Sequence, residues 1–214
     1  MSGAYLGLGK FDEALSLINK IINQVRNSRV TDYYLETLYV KCKALYLTGD
    51  IQEALNFISL KRQIIQTLDL LNITDNQKKL HLEFLLLEGE IYLSKNNYEQ
   101  VFSLCKECLS LSSQIDCQSS IGTVYSILGI SYLRLGDLDK ALDYFEETKS
   151  LFQQLKNGYR LAIAEHHIGF IYANKGQYHL ALKQYEKTLH QVEKSNNKFK
   201  KQYNIYIWQL LIMR

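Results

Sequence analysis

The sequence predicts an all-α fold, a right-handed superhelical solenoid of antiparallel helix pairs. Three observations predict it. A ten-residue pattern recurs five times along the 214 residues. Proline is wholly absent, where average usage of about 5% would supply roughly ten, so nothing interrupts long helices. Glycine is sparse, at 11, and supplies four of the five anchors of the recurring pattern.

The pattern reads LGLGKFDEAL at 6–15, YLTGDIQEAL at 46–55, LSKNNYEQVF at 93–102, LRLGDLDKAL at 133–142 and ANKGQYHLAL at 173–182. Its anchors are Gly9, Gly49, Asn96, Gly136 and Gly176, separated by 40, 47, 40 and 40 residues. Five residues on come Ala14, Ala54, Val101, Ala141 and Ala181; two on come Phe11, Ile51, Tyr98, Leu138 and Tyr178. Four before are Tyr5, Leu45, Tyr92, Tyr132 and Tyr172. Seven before are the small residues Cys42, Gly89, Gly129 and Gly169, and nine after are Ile18, Ile58, Cys105, Phe145 and Tyr185. Each offset has a physical reason. The anchor ends a helix in a left-handed conformation that glycine adopts freely and asparagine tolerates. Small residues admit a close neighbour, and the large ones fill the space between two helices. One such pair cannot bury its apolar faces alone, so pairs must stack.

Taken in order, a stub at 2–8 precedes helices at 11–27, 32–48, 51–72, 75–95, 98–114, 117–135, 138–156, 159–175, 178–194 and 198–213. The extra seven residues between the second and third anchors lengthen the 51–72 and 75–95 helices. Thr74 or Asp75 caps the latter. The whole chain, 1–214, forms one solenoid with repeats at about 1–30, 31–74, 75–115, 116–157, 158–196 and 197–214. The first repeat starts halfway through its first helix, and the last stops at the apolar NIYIWQLLIMR, 204–214. Solenoids end in polar faces, so the chain is expected to be a piece of a longer array, or to self-associate through 204–214.

YSILGISYLRLGDLDKALDYF (125–145) and EHHIGFIYANKGQYHLALKQY (165–185) resemble the tetratricopeptide repeat (TPR) family. Both show its order of Leu/Ile-Gly, Tyr, Gly, Ala and a closing aromatic. The period is longer than the family's usual length of about 34 residues, and the closing proline is missing. The late alanine of the second helix is replaced by Ile21, Lys61, Cys108, Thr148 and Thr188. The resemblance is to the long-repeat subgroup found in kinesin light chains, polarity adaptor scaffolds and bacterial peptide-sensing regulators. It implies that extended peptides or partner helices lie along the concave side, against the first helix of each pair.

The offsets then give groove residues Tyr39, Lys43, Tyr46 and Leu47; Leu86, Glu90, Leu93 and Ser94; Ser126, Ile130, Leu133 and Arg134; and His166, Phe170, Ala173 and Asn174. Glu36, Glu83, Thr123 and Ile163 lie one turn upstream. Aromatic and aliphatic anchors among single charges suit an amphipathic helix or an extended peptide. The Lys/Asn carboxylate clamp of the family's chaperone adaptors is not expected, because no asparagine stands six residues before any anchor.

No motif points to chemistry. Gly7-Leu8-Gly9-Lys10 lacks the preceding strand and the following Ser/Thr of a phosphate loop. Cys105 and Cys108 have half a zinc-knuckle spacing but fall on inner positions, where cysteine is a small hydrophobe. Glu165-His166-His167 is not a His-Glu-x-x-His site, and adjacent histidines diverge by about 100° on a helix. It reads as a polar contact surface. Lys194–Lys201, with four lysines, reads as a solvated loop. A net charge of +3 gives no reason to expect nucleic acid. The N-terminus lacks the pattern of a secretory signal, no apolar run reaches membrane length, and four scattered cysteines fit a reducing cytosol. The expectation is a non-catalytic, cytoplasmic scaffold without cofactor or metal that binds a protein or peptide, not a membrane. The alternative is the sensor domain of a larger cytosolic signalling or transcription regulator.

Overall fold

The computed structural model describes residues 32–67 and 74–194. The described residues form eight helices: α1 Asp32–Thr48, α2 Ile51–Thr67, α3 Asp75–Ser94, α4 Tyr98–Gln114, α5 Gln118–Leu135, α6 Leu138–Gln154, α7 Gly158–Asn174 and α8 Tyr178–Lys194. They pair as α1/α2, α3/α4, α5/α6 and α7/α8. The stub at 2–8, the helices expected at 11–27 and 198–213, the end of the 51–72 helix, the first and last repeats and the 204–214 segment lie outside the described residues.

The chain divides into two compact units, residues 1–117 and 118–214. In the first, α1 packs on α2 and α3, and α3 on α4. In the second, α6 packs on both α5 and α7, and α7 on α8.

One turn construction recurs six times. One or two residues past the helix end, a residue adopts a left-handed conformation, and the next N–H reaches back five residues to a carbonyl, which is the Schellman motif. The bonds run from Asp50 to Leu45 (2.9 Å), Asn97 to Tyr92 (3.0 Å), Cys117 to Ser112 (2.9 Å), Asp137 to Tyr132 (3.0 Å), Asn157 to Phe152 (3.0 Å) and Gln177 to Tyr172 (2.9 Å). Gly49, Gly136 and Gly176 have φ of 92°, 82° and 72°, and Asn96 has 55°. The anchors therefore do what the repeat requires. Two further left-handed residues, Asp116 (48°) and Lys156 (54°), were not foreseen. The second corrects a boundary. The helix expected over 138–156 stops at Gln154, because Lys156 has left helical space.

Helix starts are capped by the residue just after these turns. Asn97, Asp137 and Asn157 accept from the amides of Gln100, Lys140 and Arg160. Between Thr67 and α3 the cap is Thr74, in a reciprocal capping box with Gln77. At 20 residues α3 is the longest described helix, as the wider anchor spacing requires.

Small residues admit aromatic rings. A Cβ on Gly129 would stand 2.9 Å from the Phe145 ring, and one on Gly169 would stand 2.7 Å from that of Tyr185. The residue seven before the anchor and the residue nine after it are thus in direct contact. The first unit's core joins Leu35, Leu38, Cys42 and Leu45 of α1 to Ala54 and Ile58 of α2 and to Leu80, Phe84, Leu87 and Ile91 of α3. A core cluster of the second centres on Ala141, Phe145, Ile168 and Ile171.

Candidate functional site

In the first unit, Glu36, Tyr39, Lys43 and Tyr46 follow helical spacing along one stripe of α1, and Glu83, Leu86 and Glu90 along one stripe of α3. Tyr39 and Tyr46 are half-buried against the core, and Tyr39 meets Phe84 edge-on at 5.4 Å. The Lys43 ammonium stands 5.7 Å from the centroid of the Tyr39 ring. Burial pushes the Glu83 carboxyl above its ordinary range; Lys43 pulls it down and Glu36 pushes it further up. Tyr39, Lys43, Glu36 and Glu83 therefore form one surface. Leu86 and Glu90 are half-buried along α3.

The second unit's stripes differ. On α5, the Ser126 hydroxyl donates to the carbonyl of Gly122 (3.0 Å), Ile130 and Leu133 pack on the core, and Arg134 is exposed. On α7, Phe170 is half-buried and Asn174 is exposed, its amide donating to the Phe170 carbonyl (2.8 Å). Ile163 and Tyr159 are exposed on the same helix. The His166 ring lies 5.7 Å from Tyr185, on the second helix of its own pair. His167 stacks on Phe145 at 4.5 Å, and burial pushes its pKa down to about 4. Glu165 is buried and pairs with Lys187 (3.2 Å). Of the Glu165-His166-His167 run, expected as a polar contact surface, Glu165 is buried, His166 is half-buried, and His167 is half-buried and faces its neighbour α6.

One constellation escaped the sequence reading. Lys61 on α2 is 1% exposed. Its ammonium meets Nδ1 of His81 and stands 5.1 Å from the Phe84 ring. Beside it, Arg62 donates to both carboxylate oxygens of the buried Glu88 at 2.8 Å. His81 Nε2 faces Glu107 at 3.7 Å. Burial pushes Lys61 down to about 8 and His81 to about 4, and raises Glu88 against the pull of Arg62. A cavity of about 430 Å³ opens beside His81, lined on α4 by Ser103, Lys106, Glu107, Ser110, Leu111 and Gln114. Cys42, Cys105 and Cys108 are buried, and burial pushes each thiol up to about 12. They are core residues, protonated at neutral pH. No group of three or more metal-ligating side chains occurs among the described residues. No helix among them is long and apolar enough to cross a membrane.

Comparison with known proteins places this architecture. A family model described as PPR repeat matches residues 123–151, one helix pair made of most of α5 and α6. A curated relative, the probable 26S proteasome regulatory subunit rpn9 of Schizosaccharomyces pombe, is 24% identical over 121 residues, 54% of this chain. The chain spans only 30% of that relative's length. Among solved structures, the Rap conjugation gene regulator of plasmid pLS20 in complex with the Phr* peptide matches with TM-score 0.78. It is 17% identical, over 96% of this chain and 55% of the regulator. Aspartyl phosphate phosphatase F from Bacillus subtilis matches with TM-score 0.76 at 14% identity, over 94% and 52% of the two chains. A protein from Podosopora anserina, described as a kinesin light chain with nearly identical TPR-like repeats, matches with TM-score 0.64 at 15% identity. That match covers 91% of this chain and 92% of the other.

This chain has the TPR-like repeat fold.

The TPR-like register also shows which signal could have found the buried charges. Twelve residues after the four anchors from Gly49 onward, where such repeats place a small residue, stand Lys61, Cys108, Thr148 and Thr188. The threonines donate to the carbonyl one turn back, at 2.8 Å each, and so satisfy themselves. An ammonium cannot do this, so Lys61 at that place demands partners from α3.

Proposed function

We propose that this chain is a non-catalytic scaffold whose TPR-like first helices line a concave groove for a peptide or protein segment. One observation carries the reading. The first helices keep half-buried aromatic and aliphatic side chains at their surface, Tyr39 and Tyr46 in one unit and Ile130 and Phe170 in the other. Such residues anchor partners when water leaves them. Tyr39, Lys43, Tyr46, Leu86, Glu90, Ser126, Ile130, Arg134, His166, Phe170 and Asn174 are the groove residues on this reading. Fold alone does not decide chemistry, since a protein named as a phosphatase shares it. The absence of catalysis is supported here by buried thiols held protonated and by His167, which is stacked on Phe145. The partner is a protein or peptide rather than nucleic acid or a membrane, and the setting is the cytoplasm.

The test is to pan random dodecapeptides displayed on phage against the wild-type chain and a Tyr39→Ala/Phe170→Glu variant. Enriched peptides bind the variant about tenfold more weakly, a loss of about 1.4 kcal/mol, with helicity unchanged by circular dichroism. Equal binding to both chains contradicts the groove.

A second reading has a specific support. A peptide-bound conjugation gene regulator matches 96% of this chain, which spans about half of it. On that reading the chain is the sensor of a larger cytosolic signalling or transcription regulator. The mass of the endogenous protein, measured from its native source, tests it. A product no longer than these repeats contradicts it.

A further inference from the structure

The charges on the two units' first helices differ in sign, and one side chain already shows what the first unit's face accepts. On the α1 and α3 stripes, Glu36, Glu83 and Glu90 stand against Lys43, with Lys79 one turn upstream on α3. On the α5 and α7 stripes, Arg134 is the only charged groove residue. The Lys43 ammonium lies 5.7 Å from the Tyr39 centroid, within reach of a cation–π attraction. It does so from an exposed position, on a flexible stem. The aromatic face is thus occupied by the molecule's own cation, which is free to swing into water.

We propose that the α1–α3 face docks a basic peptide segment, one arginine or lysine of which displaces Lys43 from Tyr39 and pairs with Glu36 and Glu83. This rests on the groove reading and names the chemistry of its occupant. Arginine fits better than lysine, because its plane stacks on an aromatic ring while its fork reaches a carboxylate. The half-buried Tyr46 and Leu86 on the same stripes receive apolar side chains that flank the basic one. Lys43 then acts as a competitor whose removal strengthens binding, a sign that no acidic occupant would produce.

The same displayed dodecapeptides test this, with synthetic copies of the enriched sequences titrated against three chains. Wild type enriches peptides rich in arginine or lysine. Glu83→Gln weakens them about fivefold, and Lys43→Met strengthens them about threefold, the scale of one partly exposed charge contact. Both substitutions are at exposed positions, and circular dichroism confirms the fold. Enriched peptides that are neutral or acidic, or that weaken on Lys43→Met, overturn the basic occupant while the groove reading stands. No enrichment on any chain overturns both.

Discussion

Twelve residues after the anchor, the second unit carries Thr148 and Thr188, and the first carries Lys61 and Cys108. The threonine hydroxyls donate within their own helices, Thr188 also facing Glu165 of α7, and apolar groups fill the space between α5, α6 and α7 beside a peripheral Lys175–Asp139 pair. There Phe145 is fully buried, lies over Gly129 and is stacked by His167. The first unit instead closes α2 on α3 through the Lys61–His81 contact and the Arg62–Glu88 pair. Adjoining helices can therefore be joined by ring-on-glycine packing, as within the α5/α6 pair, or by buried charge, as between α2 and α3 of successive pairs. Packing is the stronger glue, because a buried ion pair repays its desolvation only in part. The second unit does hold one buried carboxylate, Glu165, but a half-exposed lysine reaches it.

The largest expected effect tests the packed side. Phe145→Ala removes a wholly buried ring and leaves a cavity beside Gly129, at a cost of about 3–5 kcal/mol. Hydrogen exchange should rise in α5–α7 far more than in α1–α3. An equal rise in both units breaks the contrast.

Next comes the charged side. The Lys61 pKa falls from its ordinary 10.5 to about 8 in the folded chain. Between those values the unfolded chain binds more protons than the folded one, so this group makes stability rise with pH over that window. Below pH 8 the buried ammonium is a net burden. Lys61→Met keeps the stem against Phe84 and should stabilise by about 2–3 kcal/mol at pH 7. That advantage should shrink as the pH approaches 10. A gap that stays constant from pH 7 to 10 shows that Lys61 is not held uncomfortably charged.

The smallest effect concerns a turn. Lys156 takes φ 54° where other turns have glycine. Lys156→Gly should raise stability by about 1 kcal/mol, read from the thermal midpoint. No gain indicates that the lysine side chain compensates for its strain.

Helix order and pairing were legible because they follow from periodic marks. Gly49, Asn96, Gly136 and Gly176 announce left-handed turns by residue type, and Tyr185 over Gly169 follows from two offsets. Lys156 announces nothing, since lysine is not diagnostic of that conformation, and Asp116 is only a weak sign of it, aspartate being enriched there without being confined to it. Their turns are imposed by the bond from the next amide, as at Asn157 to Phe152. The groove stripes were legible as positions, while their chemistry was not. The order of residues puts Lys43 one turn from Tyr39, but it does not say that His166 turns toward Tyr185 of its own pair. Lys61 broke the repeat's rule in plain view, but its partners His81, Glu88 and Glu107 lie more than a helix away in sequence.

The most direct test of peptide capture by the first helices is hydrogen exchange of the whole chain with and without an enriched dodecapeptide. Slowing should concentrate in α1, α3, α5 and α7. Slowing confined to α2, α4, α6 and α8 would contradict it.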